Sequence, residues 1–176
     1  MLPARCIGLI VLAVVAMSCT PERPAETTAS RVASHPASPL VGTWMLRAVE
    51  LTDSAGRPIA SPRAVGTISY TAGGRMATQS MVFPRPVVPP VPNGPGDVSA
   101  WSPEQARQVV ESYDAYFGSY ELDEASHTVT HHIEGELRPD HVGDSYLRHY
   151  EVDGDRLVLS PTDPTEHWRV VWERVK

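Results

Sequence analysis

Gly42-Thr43-Trp44 stands at the head of an apolar run, residues 41–51, whose only charged side chains are Arg47 and Glu50. The run reads as one long strand. Turn residues Asp53-Ser54-Ala55-Gly56 close it. Residues 65–71 form a second strand, rich in β-formers at Ile68 and Tyr70. Ala72-Gly73-Gly74 then reads as a tight hairpin, because glycine accepts positive φ without a Cβ clash. Residues 75–83 make a third strand. At the far end of the chain the pattern returns as strands over residues 120–122, 128–137, 144–152, 156–160 and 167–175. Asp153-Gly154 between two of them is a type I′ hairpin signal. The last strand carries Trp172-Glu173-Arg174. About eight antiparallel strands with short connections suffice to close an up-and-down barrel, which removes the edges that would otherwise pair with other chains.

The middle of the chain breaks this rhythm. Residues 84–96 hold proline at 84, 86, 89, 90, 92 and 95, which forbids both helix interior and central strand. Irregular segments of this length often form the mouth or lid of a site. Ser102-Pro103-Glu104-Gln105 follows as a capping-box start, with serine at the N-cap, proline at N1 and glutamine at N3. Ala106, Val109, Val110, Tyr113, Tyr116 and Phe117 recur at helical spacing, which predicts a helix that runs to a stop at Gly118. The expectation is therefore an all-β barrel with one α-helix inserted before its second half.

The N-terminus has a different character. Arg5 is followed by an apolar run over residues 6–17, too short to cross a hydrocarbon core that needs about 20 residues. A basic start, a short apolar core and small residues at its end read as an export signal. Residues 20–39 have almost no large apolar side chains and are expected to be a disordered tether, His35 included. Flexible chain of that length spans about 25 Å r.m.s.. Removing residues 1–18 takes away one charge, Arg5, from a net charge of −6 and leaves enough chain for a single domain over residues 40–176. An acidic body with no basic stripe argues against a nucleic-acid partner and against electrostatic docking on membranes. The two cysteines are Cys6, inside the signal, and Cys19, so a chain cut before Cys19 has no thiol to pair.

Two resemblances add to this reading. Val15-Ala16-Met17-Ser18-Cys19 resembles the bacterial lipoprotein cleavage box, which implies that Cys19 becomes the first mature residue and carries the lipid. Two or more acyl chains anchor stably. Thr20 rather than aspartate after the cysteine implies export to the outer membrane, facing the periplasm. The body, over most of residues 40–175, resembles a bacterial and fungal lipocalin-like domain family. The shared pieces are Leu40-Val41-Gly42-Thr43-Trp44, the hairpin at residues 68–74, Tyr116-Phe117-Gly118-Ser119-Tyr120, residues 128–132, residues 153–157 and residues 171–175. The proline-rich stretch departs from that pattern. The resemblance implies that Gly42, Trp44 and Arg174 are a structural signature, with Trp44 plugging one end of the barrel and Arg174 lying over its face.

Alternation along the strands suggests which side chains point inward. Val129, His131, Ile133 and Leu137 share one face of their strand, and His132, Glu134 and Glu136 take the wet one. Tyr146, Arg148, Tyr150 and Val152 share a face, as do Trp168, Val170, Trp172 and Arg174. A mostly apolar interior with a few placed polar groups is the usual form of a small-molecule site. The candidate ligand-binding residues are His131 and Arg148, for an anionic or carbonyl head, with Tyr150 and Trp168 along an apolar body. Two bland readings stand beside this: Arg148 pairs with an inward carboxylate such as Glu50, and His131 is a satisfied core residue. His131 and His132 are adjacent on a strand and face opposite ways, and no zinc spacing is present, so no metal and no cofactor are expected. No nucleophile motif appears. The sequence points to a protein that binds a small apolar or amphipathic molecule at the cell envelope, tethered to the membrane through lipid on Cys19. Its alternatives are a barrel enzyme of cyclase or isomerase type using His131 and Tyr150 as acid and base, and an interaction protein whose barrel is filled.

Overall fold

The computed structural model describes residues 38–90, 94 and 97–176. The expected export signal, Cys19 and the tether up to residue 37 lie outside the described residues, as do residues 91–93, 95 and 96 of the proline-rich stretch. The described strands are β1 (Gly42–Thr52), β2 (Pro58–Ile59), β3 (Arg63–Tyr70), β4 (Arg75–Phe83), β5 (Tyr113–Asp123), β6 (Thr128–Glu136), β7 (Ser145–Asp153), β8 (Arg156–Pro161) and β9 (Trp168–Arg174). One helix, α1 (Pro103–Glu111), lies between β4 and β5. Neighbouring strands pair antiparallel in the order β1-β3-β4-β5-β6-β7-β8-β9, and β9 returns to β1. The seam runs from Trp44 opposite Arg174 to Leu51 opposite Trp168. Among the described residues, eight strands thus form a closed antiparallel barrel, and β2 only extends the far end of β1.

Tyr113 to Phe117 lie in β5 rather than in the helix, so the helix expected to run to Gly118 ends at Glu111. Its start is as expected: Ser102 and Gln105 form the reciprocal capping box with proline at N1. Its end comes from Ser112, whose hydroxyl donates to the carbonyls of Gln108 and Val109. Beyond it, tyrosine and phenylalanine pair along β4, from Tyr113 opposite Met81 to Phe117 opposite Ala77. Tertiary pairing of good β-formers overrides a helical coincidence. Gly118 therefore does not stop a helix. A Cβ there would lie 1.8 Å from the His132 carbonyl oxygen, so the residue permits the close approach of β5 to β6.

Beside Gly118 the register shifts: Phe117 faces Gly135 while Gly118 faces Ile133, which leaves Glu134 as the extra residue of a bulge. Val129, His131 and Ile133 point inward as alternation predicts. One inserted residue then exchanges the faces. Glu136, expected on the wet face, has a fully buried side chain, and Leu137, expected inside, is 37% exposed. The β7–β8 turn is also displaced by one residue. Asp153 pairs with Arg156 across Gly154 and Asp155, and only Gly154 of the two has positive φ. That is the pattern of a type II′ turn, not the type I′ turn expected from Asp153-Gly154.

Strand direction sorts the interior into two ends. The starts of β1, β4, β6 and β8 and the finishes of β3, β5, β7 and β9 meet at one end. There Trp44, Tyr70, Met76, Tyr120, Val129, Tyr150 and Leu157 form a packed core. Trp44 donates from Nε1 to the Leu40 carbonyl at 2.8 Å. Arg174, its direct partner across the seam, stacks on its ring and bonds to carbonyls of the entering chain. Towards the other end the interior is not filled by side chains of the described residues.

Candidate functional site

The open half of the barrel encloses a cavity of about 410 Å³. Its apolar wall comes from Leu46 and Val49 on β1, Ile68 on β3, Leu159 on β8, and Val170 and Trp172 on β9. The register break at Arg47, between Leu46 and Ala48, is what brings Val49 onto the same inner face as Leu46. Trp172 is buried, and its Nε1–H has no hydrogen-bond partner among the described residues.

The polar groups gather on the wall formed by β5, β6 and β7. His131 is fully buried between two phenols. The Tyr70 hydroxyl lies 2.9 Å from its Nε2, and the Tyr116 hydroxyl lies 3.2 Å from its Nδ1. Burial, reinforced by the nearby charge of Arg148 and then by His132, lowers its pKa to about 3, so the imidazole is neutral at physiological pH. Burial likewise pushes the hydroxyls of Tyr70 and Tyr116 well above the usual phenol range, and the Arg148 charge opposes this only in part.

Arg148 stretches along the wall with its guanidinium 5.2 Å from the ring of Tyr146 and 5.0 Å from that of Trp168. Its Nη1 donates to the Leu147 carbonyl at 3.0 Å. The carboxylate expected to neutralise it is not there. Glu50 is exposed on β1, and Asp114, which lines the cavity, and Glu136 face Arg138 at 3.6 and 2.8 Å. Arg148 is thus a cation held between two aromatic rings of the cavity lining, with no ion pair among the described residues.

The rim carries a second cluster. Tyr146 donates to Glu136 at 2.7 Å, and burial, with that hydrogen bond second, raises its pKa. Asp114 is held above the usual carboxylate range by burial, against the pull of Arg138. His141 is hydrogen-bonded through Nδ1 to Asp144 at 2.9 Å, which raises its pKa.

Of the residues expected to meet a ligand, His131, Arg148 and Trp168 line this cavity. Tyr150 does not. It shares the face of Arg148 but lies two residues further along β7, about 7 Å deeper at a strand's rise per residue, and packs in the filled end. The acid–base pair of His131 and Tyr150 is therefore not assembled: both ring nitrogens of His131 are taken by Tyr70 and Tyr116. Tyr116, Glu136, Arg138 and His141 were not foreseen as lining or framing the site. For Tyr116 a signal existed, since Tyr116, Gly118 and Tyr120 alternate with period two.

A family model described as a lipocalin-like domain matches residues 41–175, and the chain belongs to that family. Among curated proteins no relative matches the chain.

Proposed function

We propose that this lipocalin-like protein binds one small amphipathic molecule in the open half of its barrel. The observation that carries the reading is the cavity of about 410 Å³, apolar on the β1, β8 and β9 side and polar on the β5–β7 side. A two-sided lining of this kind suits a ligand with an apolar body and one polar end. The unfilled volume speaks for binding over a barrel that is merely packed with side chains.

Native mass spectrometry of the purified protein, with organic extraction of what travels with it, tests the reading. Ala64 lines the cavity, and Ala64→Trp places an indole in that space. Wild type retaining or taking up an apolar molecule that the folded Ala64→Trp variant excludes is the expected result. Equal uptake by both proteins would place binding elsewhere and sink the proposal.

The place of action is proposed as the cell envelope, with the chain held by lipid on Cys19. The export-type pattern of residues 1–19 and the polar stretch that follows it support this. Cys19→Ser is expected to move the protein from the membrane fraction to the soluble fraction. An unchanged membrane fraction would remove the lipid anchor from the account.

A further inference from the structure

The direction of two hydrogen bonds follows from counting protons around His131. Tyr70 is buried, and among the described residues its hydroxyl has one hydrogen-bond partner, His131 Nε2. A neutral imidazole carries one N–H and one bare nitrogen, and its tautomer has to be assigned from its partners. If Nε2 carried the proton, it would donate to the Tyr70 oxygen, and the buried Tyr70 O–H would have no acceptor. An unpaired buried donor keeps its full desolvation cost. If Tyr70 donates to Nε2 instead, the ring proton sits on Nδ1 and is donated to the Tyr116 oxygen. Every proton of the buried pair then has an acceptor. The protonated imidazole, which would donate to both phenols, is disfavoured by burial and by the charge of Arg148.

This arrangement uses the Tyr116 oxygen as an acceptor and leaves its own O–H without a protein partner among the described residues. Tyr116 lines the cavity. Its ring meets Tyr146 edge to face at 5.5 Å, and Tyr146 is the ring on which Arg148 stacks. Among the described residues, the cation of the wall without an ion pair and the phenolic proton left over are therefore in the lining of the same cavity. Four of the five guanidinium N–H groups of Arg148 remain for other partners once Leu147 is served.

We propose that the ligand is a monocarboxylate, an apolar acid whose head is held by the Arg148 guanidinium and the Tyr116 O–H, with Tyr70 and His131 as positioning residues that turn this O–H towards the cavity. This deepens the binding reading above and rests on it. A single negative charge matches the one cation of the lining that is unpaired among the described residues, and hydrogen bonds to charged groups are the stronger ones. A dianionic head would bring a second charge towards Asp114 and Glu136, whose cation Arg138 is already shared between them.

Calorimetric titration with decanoate and with decan-1-ol separates the two readings, because the probes share a chain and differ in the head. Wild type is expected to bind decanoate about tenfold or more tightly than the alcohol, the scale of one charge-assisted contact. Arg148→Met is expected to abolish this preference and Tyr116→Phe to reduce it several-fold, each read as the ratio of decanoate to decanol affinity within a variant shown to be folded. Long-range nitrogen–proton NMR correlation on the wild type, which needs no variant, is expected to show His131 protonated on Nδ1 and bare on Nε2. Equal binding of acid and alcohol overturns the monocarboxylate and leaves cavity binding standing; binding of neither overturns both. A His131 proton found on Nε2 overturns the donor arrangement.

Discussion

The guanidinium carbon of Arg174 lies 3.9 Å from the centre of the Trp44 ring, while its Nη1 and Nη2 donate to the carbonyls of Val41 and Pro39 at 2.6 and 2.8 Å. One planar group thus covers the plug of the barrel and satisfies the chain that enters it. A Cβ on Gly42 would lie 2.7 Å from that Nη1, and its φ of +135° is one that glycine tolerates. Arg174→Ala should cost about 3 kcal/mol, combining a desolvated cation–π contact with charged hydrogen bonds. Arg174→Lys should recover less than half, because an ammonium cannot stack and donate in two fixed directions. Urea denaturation measures both, and a lysine variant as stable as wild type would refute the account.

Gly118→Ala should be among the most damaging single-methyl changes in the barrel. The added carbon would meet backbone, the His132 carbonyl oxygen at 1.8 Å, so no side-chain rotation relieves it. A cost of about 3 kcal/mol or more is expected from forced separation of β5 and β6. Amide exchange should show the protection of the β5–β6 pair falling before that of β8 and β9. A variant with wild-type stability would mean that the two strands do not approach so closely.

Stability should depend on His131 on the acid side. Its ordinary pKa near 6.5 is lowered to about 3 in the folded protein by burial, then by Arg148 and His132. Between those values the unfolded chain binds a proton that the folded chain refuses, so unfolding becomes easier as pH falls. The slope from this group is on the order of 1 kcal/mol per pH unit, and its full contribution stands above pH 6.5. Asp114, raised by burial, acts in the opposite sense. Comparing wild type with a folded His131→Gln variant cancels that term. Denaturation at pH 7 and pH 4.5 should show the wild type losing more than the variant; parallel losses would count against a buried neutral imidazole.

Helix α1 contains no buried residue, so it should be separable from the barrel. Ser102→Ala removes the cap that accepts from the Gln105 amide and should weaken the helix by about 1 kcal/mol. Exchange protection in α1 is expected to fall while the thermal midpoint of the barrel stays in place. A matching drop in both would show that the helix is an integral part of the core.

The strand order could be read from the sequence because alternation and turn glycines are local marks, whereas the Gly42–Trp44–Arg174 plug was implied by the lipocalin-like resemblance. The features that escaped that reading depend on distant partners. Tyr113, Tyr116 and Phe117 satisfy helical spacing and strand propensity equally, and pairing with β4 decides between them. Glu136 turns inward because Glu134 is an extra residue opposite β5, and nothing within β6 except Gly135 hints at that. Arg148 and Tyr150 share a face of β7, but which lies in the cavity and which in the packed end depends on depth along the barrel, which face alone does not give. His131 was visible as an inward histidine; the phenols that hold it come from β3 and β5.

The seam between β1 and β9 sets an order on how this barrel can come into being. Every other junction of the ring joins strands that are neighbours in the chain, apart from the short β2, whereas this one joins the first strand to the last. Until Trp168–Arg174 has been synthesised, β1 and β8 both present unpaired backbone, and Trp44 lacks the arginine that covers it. Closure is thus the final act of assembly, with the long loop closure that slows folding of non-local sheets. A nascent or truncated chain ending before β9 is an open sheet with two adhesive margins, in need of protection until the seven residues of β9 arrive.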